Sequence, residues 1–110
     1  MNVITTHVLD TVLGKPCAGI RISLDRKTGA DWIAAGRSVT DSDGRCHDLV
    51  ANPEQGTYRL TFETGDYLAR QKRLSLYPEI VVVFNLDGDD AHYHLPLLLS
   101  DNGYTTYRGS

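Results

Sequence analysis

Turn-forming residues interrupt this chain at short intervals, and most segments between them alternate apolar and polar side chains. A period of two belongs to strands with one buried face, so many short strands joined by tight turns have to close as an antiparallel sandwich or barrel. The first segment is Val3 to Leu9, and Gly14-Lys15-Pro16 breaks it. Arg21 to Asp25 alternates with Ile20, Ile22 and Leu24 on one face, and Trp32 to Ala35 is a shorter candidate. Asp41-Ser42-Asp43-Gly44 reads as a turn, with Gly44 free to take a positive φ, and Arg45 to Val50 reads as the strand after it. Tyr58, Leu60 and Phe62 face one way in the next strand. Thr64 as N-cap, with Asp66 in the first turn, predicts the only helix, running to about Arg73. Glu79 to Leu86 is apolar on both faces, which suits a strand buried on both sides or one at a subunit contact. His92 to Ser100 and Tyr104 to Gly109 follow, joined by Asp101-Asn102-Gly103. The expected architecture is all-β: a two-sheet antiparallel sandwich of about eight strands with one short helix, residues 1–110 forming a single domain.

Composition narrows the function. At 110 residues and 41% hydrophobic, the chain can build a core without staples. A net charge of −3 with no block of Lys or Arg gives a nucleic-acid backbone or an anionic membrane nothing to hold. The longest apolar run, Ile80 to Phe84, is far too short to span a bilayer. Cys17 and Cys46 have no CxxC spacing, and the N-terminus has no basic and apolar leader pattern. A cytoplasmic protein with reduced thiols is the expectation.

His92-Tyr93-His94-Leu95-Pro96-Leu97-Leu98-Leu99 carries the most chemical information. Tyr93, Leu95, Leu97 and Leu99 share the core face of such a strand, which leaves His92, His94, Pro96 and Leu98 on the other. Two imidazoles, a proline and a leucine suit neither core nor ordinary solvent surface. The first strand divides the same way: Ile4, Thr6 and Val8 on one side, Val3, Thr5, His7 and Leu9 on the other. If the two strands are neighbours, His7 and His94 share an outer face, and Arg45 stands at its rim. Neutral histidine can take a proton from water near pH 7, and arginine offers a fork of donors to an oxyanion. Other readings stay open on residues alone. His92-x-His94 with a third histidine is a ligand pattern for catalytic zinc; a solvated histidine on a purely structural sandwich is the plainest alternative. Asp41 and Asp43 read as turn formers, Trp32 as packing, and Cys46 and His47 as structural.

Four stretches carry a family resemblance. Ile4-Thr5-Thr6-His7-Val8-Leu9-Asp10-Thr11 with Gly14-Lys15-Pro16 resembles the N-terminal signature of the transthyretin-like family. His92 to Ser100 with Gly103-Tyr104-Thr105-Thr106-Tyr107-Arg108-Gly109-Ser110 is similar to its C-terminal signature, and Thr40 to Arg45 and Tyr77-Pro78-Glu79-Ile80 also fit. The closing Tyr-Arg-Gly-Ser resembles the family's 5-hydroxyisourate hydrolases rather than its hormone carriers. The resemblance implies hydrolysis of 5-hydroxyisourate without metal or cofactor. It places catalytic roles on His7, Arg45 and His94, and substrate contacts on Tyr107, Arg108, Gly109, Ser110 and His92. It also implies a homotetramer, a dimer of dimers with the histidine face lining the cleft between dimers. A carrier of a small aromatic ligand in that channel is the alternative. Two positions depart from the family pattern, Cys17 in place of alanine and Asp101 in place of proline.

Overall fold

A computed structural model describes the whole chain, Met1–Ser110. It has nine strands, two of them only two residues long, and one helix. In chain order these are β1 (Val3–Asp10), β2 (Lys15–Pro16), β3 (Arg21–Thr28), β4 (Asp31–Val39), β5 (Arg45–Cys46), β6 (Gly56–Phe62), α1 (Thr64–Arg70), β7 (Ile80–Leu86), β8 (His92–Leu99) and β9 (Tyr104–Thr106). They form two sheets: β2-β1-β8-β9 with β5 also pairing β1, and β4-β3-β6-β7.

The alternation read from the sequence is what packs the sheets together. Ile4, Val8, Tyr93, Leu95, Leu97 and Leu99 of the first sheet meet Ile22, Leu24, Tyr58, Leu60, Phe62, Ile80 and Leu86 of the second in one cluster of buried side chains. Helix α1 adds Tyr67 and Leu68 to this cluster. The expected all-β sandwich is therefore what forms.

Several details differ from expectation. Strands β1 and β8 run parallel, with Val3 opposite His92 through Asp10 opposite Leu99, whereas every other pairing is antiparallel. The strand expected over Arg45 to Val50 ends at Cys46, because Leu49 turns in to the core and its carbonyl lies where a Cβ on Gly36 would stand. Lys15-Pro16, read as a break, makes a short pairing with Leu9 and Asp10. The helix starts with Thr64 inside it rather than capping it, and the buried Thr64 hydroxyl has no partner. It ends at Arg70, three residues short of Arg73, where Lys72 takes a φ of 56°. Strand β7 is not buried on both sides: it is a sheet edge, with Val81 and Val83 exposed.

One buried ion pair locks the far end of the first sheet. The Asp10 carboxylate, fully buried, accepts hydrogen bonds from Tyr67, from the Val12 and Leu13 N–H groups, and from Arg73 at 2.6 Å. Burial alone would raise the Asp10 carboxyl, but the Arg73, Leu13 and Tyr67 hydrogen bonds outweigh it and hold it below the ordinary range. Arg73 also binds Asp101 in the β8–β9 turn, so the aspartate that departs from the family pattern ties that turn to the helix.

Candidate active site

The parallel pairing of β1 with β8 brings the two ends of the chain together. In register, Thr5 lies opposite His94 and His7 opposite Pro96. On the other side of β1, His7 lies opposite Arg45. On the other side of β8, Leu97 pairs with Thr106 and His94 forms a bridge with Gly109. The outer face of this sheet therefore carries two adjacent rows. One runs Arg45, His7, Pro96 and, between the two β9-side pairings, Tyr107; the other runs Thr5, His94, Gly109. Neighbouring strands are about 4.8 Å apart, so the four-strand row spans about 14 Å and the three-strand row about 10 Å, enough to floor a site for a small ring ligand.

Local chemistry fixes each group. Asp41 organises the turn before β5: one carboxylate oxygen accepts the Asp43 and Arg45 N–H groups, both at 2.9 Å. The Arg45 and Asp43 N–H bonds hold the Asp41 carboxyl below its usual range. Gly44, at φ 74°, is needed because a Cβ would lie 2.4 Å from the Val8 carbonyl oxygen. The same turn presents the Asp43 carbonyl to His7 Nε2 at 2.8 Å. A carbonyl can only accept, so His7 Nε2 carries the hydrogen, and in the neutral ring Nδ1 keeps the lone pair.

The Thr5 hydroxyl lies 2.7 Å from His92 Nε2 and 2.7 Å from His94 Nδ1. The imidazoles sit 5.9 Å apart at 62°, over a Thr5 side chain that is almost wholly buried. On its other edge the His94 ring meets Gly109, where a Cβ would stand 2.7 Å from Cδ2. Nδ1 thus faces β1 and Cδ2 faces β9, which leaves Nε2 at the outer end of the ring. Desolvation first, then His92, Arg45, His7 and His47, lower the His94 value from the ordinary 6.5. The surroundings of His94 thus favour its neutral form.

The predicted residues are not all equally placed. His7, Arg45, His94 and Gly109 come together, Tyr107 lies beside them and is exposed, and Ser110 follows Gly109 at the rim. His92 joins through Thr5. Arg108 goes the other way: its guanidinium stacks 4.1 Å over the ring of Tyr93, whose side chain belongs to the core face of β8. Sequence reading missed Thr5 and the Asp43 carbonyl. Thr5 could have been found from its place in the His7 set; a backbone carbonyl leaves no mark in a sequence. No three His, Cys, Asp or Glu side chains of this chain converge as metal ligands; the Thr5 hydroxyl lies against one nitrogen of each β8 histidine. The largest concavity, about 740 Å³, lies on the other sheet around Arg21, Arg37 and Glu79, because the histidine face is an open floor in a single chain.

Residues 4–109 match the model of the HIUase/Transthyretin family. The chain belongs to that family. A 5-hydroxyisourate hydrolase of Salmonella typhimurium is 42% identical over 113 residues, covering 99% of this chain and 82% of the relative. The structure of Klebsiella pneumoniae 5-hydroxyisourate hydrolase superposes with a TM-score of 0.89 at 37% identity over 100% of both chains. Transthyretin from Sparus aurata superposes with a TM-score of 0.92 at 31% identity over 96% of this chain and 95% of that one. Both branches of the HIUase/Transthyretin family thus share this backbone, and the side chains on the outer face have to separate them.

Proposed function

We propose that this protein hydrolyses 5-hydroxyisourate to 2-oxo-4-hydroxy-4-carboxy-5-ureidoimidazoline, a step of urate degradation, with no metal and no cofactor. The observation that carries this reading is the shared outer face of His7, Arg45 and His94 at the meeting of β5, β1 and β8. A carrier for a flat apolar ligand has no use for two imidazoles and a guanidinium in one floor. In the proposed reaction His94 Nε2 removes a proton from water as the oxygen attacks the ring carbonyl carbon. Arg45 stabilises the oxyanion that forms. The carbon–nitrogen bond then breaks, and the proton held on His94 passes to the departing nitrogen, leaving an opened ring and a carboxylic acid that ionises by releasing its proton to solvent. His7, fixed by the Asp43 carbonyl, contacts the substrate through Nδ1. Tyr107, Arg108, Gly109, Ser110 and His92 remain the proposed substrate-contacting set, Arg108 only if it leaves Tyr93 when the site fills.

The site is proposed to close by assembly into a homotetramer within the cytoplasm. Strands β7 and β9 are the unpaired edges of their sheets, and they lie on one side of the sandwich, where Tyr77 before β7 meets Tyr104 of β9 at 5.5 Å. A second copy paired there would extend both sheets and cover an exposed edge. Stacking two such dimers on the histidine face would turn the open floor into a cleft. No helix is long and apolar enough to cross a membrane.

The test is a coupled assay in which urate and urate oxidase generate 5-hydroxyisourate and its absorbance decay is followed. The protein should accelerate the decay, and exhaustive chelation should leave that rate unchanged. His7→Ala, Arg45→Ala and His94→Ala should each cost about 10²-fold or more in turnover. A carrier would leave the spontaneous decay as it is. Light scattering should give the mass of four chains.

A further inference from the structure

Thr5 is the one side chain that holds both imidazoles of β8, and its geometry allows only a few proton arrangements. The hydroxyl has a single hydrogen and lies 2.7 Å from each of His92 Nε2 and His94 Nδ1, on a residue that is buried. It can donate to one ring while accepting from the other, or accept from both and leave its own hydrogen without a partner. The last arrangement requires both rings to be protonated on the side facing Thr5 and strands a buried donor, which is costly.

From these contacts we propose that Thr5 is a positioning residue for the hydrolysis put forward above: it accepts the Nδ1–H of His94, donates to Nε2 of His92, and thereby leaves His94 Nε2 as the one basic nitrogen of the pair not engaged by Thr5. The alternative, donation to His94 Nδ1, would put the hydrogen of neutral His94 on Nε2 and leave it no base facing the substrate. The proposed order also survives turnover. When His94 takes a proton on Nε2, both its nitrogens carry hydrogens, and Thr5 must be accepting from Nδ1. Since it already does, the hydroxyl need not rotate during the reaction. His92, with its hydrogen on Nδ1, then serves as the fixed acceptor that keeps Thr5 turned. The other charged or titratable groups around His94 are Arg45 and His47 from the β5 side, His7 from β1, and Tyr107 and the Ser110 carboxylate at the chain end. None of these is hydrogen-bonded to Nδ1, so the tautomer depends on Thr5. The inference rests on the hydrolase reading only for its effect on rate; the tautomer is a property of the free protein.

The test uses the full-length protein labelled with ¹⁵N in histidine, with Thr5→Val and Thr5→Ser variants. Imidazole ¹⁵N spectra at neutral pH should place the His94 hydrogen on Nδ1 in the parent and in Thr5→Ser, and over both nitrogens in Thr5→Val. In the decay assay Thr5→Val should lower kcat about 10- to 100-fold, the loss of one hydrogen bond to a charged ring, with KM changed by less than about 3-fold. Thr5→Ser should restore kcat to within about 3-fold. A folded Thr5→Val protein with the parent tautomer and parent kcat would overturn the proposal, as would Thr5→Ser being as slow as Thr5→Val. His92→Phe removes the acceptor without touching β1. It should move the His94 hydrogen toward Nε2, and an unmoved His94 there overturns the proposal even if Thr5→Val does not fold. If the parent protein fails to accelerate the decay, the hydrolase reading falls, and the spectra alone decide for or against Thr5.

Discussion

Gly109→Ala is a one-methyl perturbation aimed at the tightest contact on the histidine face. The new Cβ would stand 2.7 Å from His94 Cδ2 and 3.4 Å from Pro96 Cγ. Carbon atoms pack comfortably from about 3.5 Å, so ring and methyl have to part by roughly 0.8 Å. The ring cannot simply slide away: its opposite edge rests on Thr5 at 2.7 Å, already a short contact for a hydroxyl and a ring nitrogen. Either the imidazole rotates and loses Thr5, or the Gly109 backbone retreats and loses its 2.7 Å bond to the His94 carbonyl. A displacement of this size at the proposed base should cost on the order of 10²-fold. Gly109 is close to the chain end and contributes no side chain to the core, so the thermal midpoint should move by only a few degrees. The assay is 5-hydroxyisourate decay on protein whose mass and melting match the parent. A Gly109→Ala enzyme with kcat within about 2-fold of the parent would refute the wedge, because the ring would then have slack that these distances deny it.

Asp41→Ala should lower activity about tenfold by loosening the turn that holds both Arg45 and the His7-binding carbonyl, whereas Asp41→Asn, which keeps an acceptor oxygen, should stay close to the parent; equal losses in the two would count against the turn. The lowered His94 value predicts a kcat/KM profile flat through neutrality, with its acidic limb below pH 6.5, and Arg45→Ala should move that limb upward in whatever activity remains, since a depressing charge is gone. The linkage sign is the same for stability: the unfolded chain binds the His94 proton more readily, so His94 costs nothing above 6.5, and stability falls as pH drops through 6.5 toward the lower folded value, which a urea midpoint series would detect. Arg73→Ala leaves the buried Asp10 carboxylate with only Tyr67 and two N–H groups, and should cost about 2–4 kcal/mol by denaturant unfolding with little change in activity at low temperature; an unchanged midpoint would mean that the ion pair is energetically idle.

How much of this was legible in the sequence depends on what kind of group carried it. The period of two gave the core faces of β1, β3, β6 and β8 residue by residue, and the odd company of His94 with Pro96 and Leu98 marked the outer face as special. The parallel partnership of β1 and β8 was invisible, since alternation says which way side chains point and nothing about which strand lies alongside. The early end of β5 at Cys46 was hidden for a related reason: Leu49 satisfies the pattern of a strand, but it reaches the core from a loop that crosses close over Gly36. Thr64 looked like a helix cap by residue type, yet a threonine hydroxyl caps only if it precedes the first turn, and here it lies within it. Thr5 resembled any β-branched strand residue until its two imidazole neighbours were in place. Arg108 travelled in a signature that reads as one unit, and strand alternation split that signature across two faces.

The pairing of β1 with β8 has a consequence for the order in which the molecule can come into being. Thr5 and His94 are 89 positions apart, so β1 leaves the ribosome well before β8 and waits for most of this domain before it meets its longest partner. The second sheet is built from β3, β4, β6 and β7, all synthesised before β8, and can assemble first. Until β8 emerges, β1 has only the two-residue strands β2 and β5 beside it, and Ile4 and Val8 have an incomplete core to enter. Long-range closure of this kind is slow and leaves an open strand edge during synthesis. A nascent chain arrested before residue 92 should therefore present β1 to chaperones and proteases, and lysates expressing such truncations should yield degraded fragments rather than a partly active enzyme.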